Sequence, residues 1–465
     1  MPPPPILAES LCELYFRNVD PVFKVLHAPS VRSHVKSGAR YLDYDAGHRA
    51  VTALKFVLYY AALATATEEE CVQLCGQPKA LAIGQYRTMA EAALTQADYV
   101  ISNDLTTLQS FIIYLAVLRH EDQTRRTWSL TALALRSAVA LGLHIDKPHL
   151  EPFITEQRRR TWHALCVLDL LLAVDLASDA LIITGTYDTA LPLNIDDADM
   201  AFGSHLAITS RTGWTEMTFT TMIHVIHCAA RRSHSLKSDN GQARQAIILD
   251  AGDRIEKDYL VYCDPDNHIQ AFSIATGRSI VAACLLHSVF PTKAHAKAGS
   301  TGPPIKSEHV LSIAIDTLSY SQQCAEDPYA VSWQWIAWRQ WHALAVAYAA
   351  LGFITEGPLA ERGWAVVEPA YSHYSAIIAG RQGDGMYQHL VKFRDRALRS
   401  RAGVSKPGHT SMPNAQDYVP HAATPGQVVD DVDATWAFDD PSADDWAAWS
   451  ELFHEMPDPM DFGPI

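Results

Sequence analysis

Apolar residues recur every three to four positions from residue 8 to about residue 400, the spacing of α-helices that bury one face. In WSLTALALRSAVALGLHID, the residues Leu130, Leu133, Ala134, Ala138 and Leu141 form one apolar stripe. Gly142 follows directly, where a helix ends by passing through the left-handed conformation. After Pro152 the stretch EQRRRTWHALCVLDLLLAVDLA puts Trp162, Leu165, Cys166, Leu172, Ala173 and Leu176 on one face, with Thr155 as the expected N-cap. The two segments, separated by a short proline-containing loop, predict a helical hairpin.

The same period predicts helices over Leu105 to Leu118, Thr215 to Ala230, AIILDAGDRIEKDYLVY and the tryptophan-rich WQWIAWRQWHALAVAYAALGF. ALIITGTY, from Ala180 to Tyr187, is the only short β-branched run, and a loop or one extended piece is expected there. RRSHSLKSDNGQAR, PTKAHAKAGSTGPPIKSEH and everything after about residue 400 read as linkers. No internal repeat is visible. The fold class that follows is all-α: a proline-rich segment over 1–10, one large multi-helix domain over 11–400, and a disordered acidic tail over 401–465.

Charge divides the chain at the same place. The formal net charge is −15, and twelve carboxylates with no Lys or Arg lie beyond Lys406, which leaves about −3 on the body. A body without a basic stripe is not expected to hold a nucleic-acid backbone by itself. The N-terminus MPPPPILAES lacks the basic start of a secretory signal. The most apolar stretch, Ala164 to Ala177, carries Asp169 and Asp175, so a soluble intracellular protein without membrane contact is expected. Eight scattered cysteines, of which only Cys71 and Cys75 are close, form neither a disulfide framework nor a zinc ligand set, and the pair reads as core.

Asp169 falls on the apolar stripe of its helix, where an unpaired carboxylate is costly, so an arginine or a helix N-terminus is expected beside it. Arg158, Arg159 and Arg160 are the only basic triplet and read as surface and capping partners at a helix start. HIDKPH brings His144, Asp146 and His149 together without a clear fourth ligand, and no metal is assigned there. His163 and His342, each beside a tryptophan, read as core or interface residues. LPLNIDDADM crowds Asp196, Asp197 and Asp199 into four positions. A magnesium site for an all-helical enzyme would need a second carboxylate cluster on a facing helix, and none stands out. A turn is expected instead, with Asn194 or one aspartate capping a short helix and the remaining acids in water. Nucleophile-elbow, P-loop, dinucleotide and zinc-protease motifs are absent, and no catalytic, cofactor or metal residue is assigned.

These pieces together resemble the signature of the fungal-specific transcription factor domain, the middle homology region of zinc binuclear cluster regulators. The pattern is carried by Leu141, Gly142, Leu143 and His144; by Arg158, Arg159, Arg160 and Trp162; by Leu168 and Asp169; and by Asp188, Leu191, Pro192, Asn194, Asp196, Asp197 and Asp199. LYFRNVDPVFKVLHAPSV resembles the start of the same domain and WQWIAWRQWHALA a helix near its end. The resemblance implies a helical domain for autoinhibition, small-molecule sensing or dimerisation, as a homodimer or a heterodimer with another regulator, in a nuclear transcription regulator of fungal genes; a biosynthetic gene cluster as target is a family-level expectation. It also implies a zinc-binding cluster of six cysteines that this sequence does not contain. Zinc is therefore expected only with such a cluster upstream, and DNA contact is expected from a missing domain or a partner. The alternative is a modulator that never touches DNA and heterodimerises with other regulators.

The tail VVDDVDATWAFDDPSADDWAAWSELFHEMPDPMDFGPI alternates carboxylates with large apolar groups. Charge repulsion opposes collapse while the aromatics stay available to a groove on a partner, the composition of an acidic activation segment. Trp436, Phe438, Trp446, Trp449 and Phe453 are the expected contacts with coactivator machinery; Trp446, Trp449 and Phe453 share one helical face.

Overall fold

The structure is a computed structural model that describes residues 3–121, 125–175, 179–236, 241–289, 306–337, 340–378 and 385–403. Among the described residues the chain forms α-helices and short 3-10 turns and no strand. In chain order the helices are α1 (Pro5–Asn18), α2 (Ala28–Ser37), α3 (Arg49–Thr65), α4 (Glu68–Cys75), α5 (Lys79–Gln96), α6 (Leu105–Glu121), α7 (Arg125–Ala140) and α8 (Pro152–Asp175). They continue as α9 (Thr218–Ser235), α10 (Gly241–Asp258), α11 (His268–Val289), α12 (Glu308–Glu326), α13 (Trp341–Leu351), α14 (Pro358–Ile378) and α15 (Gly385–Arg401). The all-α expectation holds, and Ala180 to Tyr187 is loop.

Local chemistry sets several helix boundaries. Thr67 and Glu70 form a reciprocal capping box at the start of α4. Gly142 ends α7 with φ +67°, while Leu143 N donates to Ala138 O at 2.9 Å and Gly142 N to Val139 O at 2.9 Å. That pair of bonds is a Schellman stop, and it needs the left-handed residue that glycine supplies. Helix α8 starts three residues before the expected cap, with Pro152 in its first position, where a missing N–H costs nothing. Thr155 lies inside the helix, its hydroxyl directed at Lys147 O (3.3 Å) and Leu150 O (3.4 Å).

Two helices depart from simple amphipathicity. Every residue of α6 from Thr106 to Arg119 and of α8 from Arg160 to Ala173 is buried, because neighbours surround them on all sides. The one-faced reading of α8 is thus corrected: the helix is central. Around α3, α6, α8, α9 and α11 lies a large core that includes Tyr15, Tyr60, Phe111, Trp162 and Phe219. A second core joins α12, α13, α14 and α15 through Leu311, Tyr348, Trp364, Val367 and Ala397. Helix α11 serves both, with Phe272 and Ile280 in the first and Leu286 and Val289 in the second. It is long and apolar enough to cross a membrane by composition. Its place between two cores, and the ion pair of Arg278 with Glu256 at 2.7 Å, make it a core helix.

The tryptophan-rich segment is not one helix. Pro328–Ile336 is 3-10, and the α-helix begins only at Trp341. Trp333 Nε1 donates to Arg17 O at 2.9 Å and Trp335 Nε1 to Asn18 O at 3.1 Å. Carbonyls at the end of α1 lack intrahelical partners, so the two indoles fasten this segment over them as a strap. The first expected linker is also shorter than its composition suggests, since α9 runs to Ser235 and α10 starts at Gly241. Most of the second linker and the tail from 404 lie outside the described residues.

Candidate functional site: a buried ionic clasp

The helix start of α8 and the acidic segment after residue 191 meet in the interior. Arg160, wholly buried, donates from NH1 to Asp197 Oδ1 at 2.7 Å and from Nε to Glu156 Oε1 at 3.0 Å. Asp197 Oδ2 takes Lys24 Nζ at 3.0 Å and the N–H of Ala28, first residue of α2, at 2.8 Å. Lys24 Nζ also meets Asp20 Oδ2 at 2.6 Å and Glu216 Oε2 at 3.4 Å. Asp197 therefore faces two cations and the positive end of a helix at once. His27 bonds Asp197 O through Nε2 at 3.0 Å, and Leu193 N donates to Glu156 Oε2 at 3.2 Å.

Burial alone would raise the pKa of Asp197, but Lys24 and Arg160 outweigh it and hold the carboxyl well below the usual range. Lys24 is likewise depressed by burial, and Asp20 and Asp197 more than restore it, to above its ordinary value. Asp20 is different. Burial pushes its carboxyl up to about 6, with the charge of Lys24 opposing and that of Asp197 reinforcing the shift. Its Oδ1 has no hydrogen-bond partner among the described residues.

Around this centre the rest of the signature is hung on α8. Arg158 NH2 donates to Leu141 O (3.1 Å) and Gly142 O (2.7 Å), closing the end of α7. Arg159 forks onto Asp146 at 3.0 and 2.6 Å. Asp188 accepts from Asp146 N at 2.8 Å and donates its own N–H to His144 O at 3.1 Å. The Thr189 hydroxyl bonds Leu143 O at 2.6 Å, and the buried His163 ring bonds Thr189 O and Ala190 O. Burial lowers the His163 pKa to about 4, so the ring is neutral at pH 7. The Asn194 side chain donates to Arg211 O (3.1 Å) and Gly213 O (2.9 Å) and accepts from Thr215 and Thr218 hydroxyls. Leu143, Trp162, Leu168 and Pro192 are buried, and Leu141 and Leu191 half-buried, against the same helices.

Of the two partners expected beside Asp169, an arginine or a helix N-terminus, the structure has the arginine. Arg231 of α9 lies 3.0 Å from its Oδ2 and donates to Ile182 O at 2.7 Å and to Cys166 O. Leu181 N and Ile182 N each donate to the Asp169 carboxylate at 3.0 Å. One carboxylate thus ties α8, α9 and the 180–187 loop together. A second interior pair, Arg119 with Asp175 at 2.7 Å, joins α6 to α8.

Two expectations are corrected here. Arg160 is not a surface residue, because two carboxylates and Leu26 O replace water around it. Of the three acids in LPLNIDDADM, Asp196 caps the 3-10 turn Asp197–Asp199 as a turn residue would, but Asp197 is only 1% exposed. Asp196 and Asp199 each pair with Arg211, and Glu216 N donates to Asp196 Oδ1 at 2.9 Å. Cations of the chain already neutralise the three carboxylates. No group of three or more His, Cys, Asp or Glu side chains converges as a metal site among the described residues. The sequence reading missed Lys24, Asp20, Glu156 and Arg231. Lys24 lies 173 positions before Asp197, and the one available signal was a lysine four residues after an aspartate in VDPVFK. Trp436, Phe438, Trp446, Trp449 and Phe453 lie outside the described residues.

The arrangement offers no reactive group to solvent; it pins the 20–28 segment, α8 and the 188–217 connection into one unit. It defines an all-helical domain held together by interior ion pairs. The family described as "Fungal specific transcription factor domain" matches residues 12–244, and the chain belongs to that family. Similar curated proteins include the C6 finger domain transcription factor adaR of Aspergillus niger, 30% identical over 434 residues, covering 84% of this chain and 54% of that protein. The C6 finger domain transcription factor nscR of Arthroderma otae is 32% identical over 381 residues, with 80% and 54% covered. Its namesake in Aspergillus fumigatus is 30% identical over 412 residues, with 84% and 53% covered. The chain spans about half the length of the curated relatives it matches. Family and relatives are transcription factors, not enzymes.

Proposed function

We propose that the chain is the regulatory and activating part of a nuclear transcription regulator of fungal genes. Membership of a transcription factor family carries this reading. The helical domain presents a fixed scaffold, and the acidic tail recruits coactivator machinery through Trp436, Phe438, Trp446, Trp449 and Phe453. The tail supports an activating role because twelve carboxylates keep three tryptophans in water until a partner's groove takes them up. DNA contact comes from a six-cysteine zinc domain or a partner that carries one, and zinc belongs to that domain. The helical domain itself works without a cofactor.

The test is a reporter assay with residues 407–465 fused to an unrelated DNA-binding domain. Activation is expected, and replacing Trp446, Trp449 and Phe453 together by alanine should abolish most of it. A silent fusion would favour the modulator that heterodimerises with other regulators.

A further inference from the structure

At the seam between the two cores, beneath the strap Pro328–Ile336, lies a cavity of about 410 Å³. Small-molecule sites occupy about 300–1,000 Å³. Its wall is assembled from both halves of the molecule: the ends of α3 and α6, the first residue of α5, the middle of α11, and parts of α12 and α14.

The chemistry of that wall is one-sided. Ile280 and Trp335 supply apolar surface, and Thr276, Ser279 and Gln340 supply buried hydrogen-bonding groups. Lys79 and Arg119 bring two positive charges, and no aspartate or glutamate is among the described lining residues. Arg119 is held by Asp175, which stands outside the wall. Lys79 Nζ spends one N–H on Ala66 O at 2.6 Å, and an ammonium has three to give. Gln340 Nε2 reaches Ser279 Oγ only at 3.5 Å, the outer limit of a hydrogen bond, so a better acceptor would compete for it.

We propose that this cavity binds a small, largely apolar molecule that carries one carboxylate or comparably acidic oxygen. The acidic group sits at Lys79, the apolar body lies against Ile280 and Trp335, and Gln340 bonds a second polar atom. An occupant touches both cores, so binding ties the strap, α3 and α6 to α12 and α14.

The test uses the full chain and two fluorescent probes with the same aromatic body. These are 8-anilinonaphthalene-1-sulfonate, an anion, and N-phenyl-1-naphthylamine, its neutral counterpart. Both should bind saturably at one site per chain. Ser321→Leu, which fills the wall from α12, should weaken both by about tenfold or more. Lys79→Gln, which keeps N–H donors but loses the charge, should weaken the sulfonate about tenfold and leave the neutral probe within about twofold. If Ser321→Leu fails to fold by circular dichroism, Lys79→Gln decides. The proposal is overturned if neither probe saturates at one site, if the folded variants bind the sulfonate as the parent does, or if Lys79→Gln weakens both probes equally.

Discussion

A residue's protonation in this interior depends on which side of Lys24 it stands. Asp197 has two cations and a helix N-terminus, whereas Asp20 has Lys24 alone and one bare oxygen. Their effects on stability run in opposite directions. Asp20 has a folded pKa of about 6 against an ordinary 3.8, so the fold favours its protonated form. Its contribution is complete below about pH 4 and is lost as pH rises through about 6. Asp197 is shifted down, so its contribution is present above the ordinary carboxylate range and is lost as pH falls. Asp20→Asn should therefore flatten the fall in unfolding free energy between about pH 4 and 7 while leaving the acid loss below about pH 4. Urea titrations across that range measure it, and a variant with the parent's pH profile would refute the assignment.

At the scale of elements, ion pairs here do the work of short loops. The 180–187 loop has exposed Leu181 and Ile183, yet it is fixed because its amides and one carbonyl end on Asp169 and Arg231. Removing one partner of a buried pair strands the other, at a cost of about 3–5 kcal/mol. Asp169→Ala should lose about that much unfolding free energy, and the amides of Leu181 and Ile182 should exchange far faster in deuterium oxide. An unchanged melting temperature would sink this account. The position of Asp169 between Leu165 and Leu172 was enough to demand a partner, an arginine or a helix N-terminus. It was not enough to name Arg231, since α9 meets α8 only through the fold. In the same way the apolar run around Trp333 to Trp341 marked helix, but the hydrogen bonds of Trp333 and Trp335 to α1, more than 300 positions earlier, made its first part 3-10.

For the whole molecule, the decisive element is α11. It places side chains in both cores, and the strap binds the C-terminal half to α1, so neither half has a complete surface without the other. The described helices should unfold in a single transition, with far-ultraviolet circular dichroism and tryptophan fluorescence coinciding during urea denaturation. Two separated transitions would show the cores to be independent.

The sequence by itself determined the helical class, the end of α7 at Gly142, the need for a compensating partner at Asp169, the division between a near-neutral body and an acidic tail, and the family signature. All of these rest on spacing, local backbone preference or charge count, quantities that a chain carries before it folds. Only the tertiary structure decided that Asp197 and Arg160 are interior, that Lys24 meets Asp197 and Arg231 meets Asp169, and that a cation-lined cavity opens between the cores. Those depend on groups tens to hundreds of positions apart. LPLNIDDADM looked solvated because Asp and Asn favour exposed turns and caps, and it is half interior because cations from α8 and the 20–28 segment fold onto it.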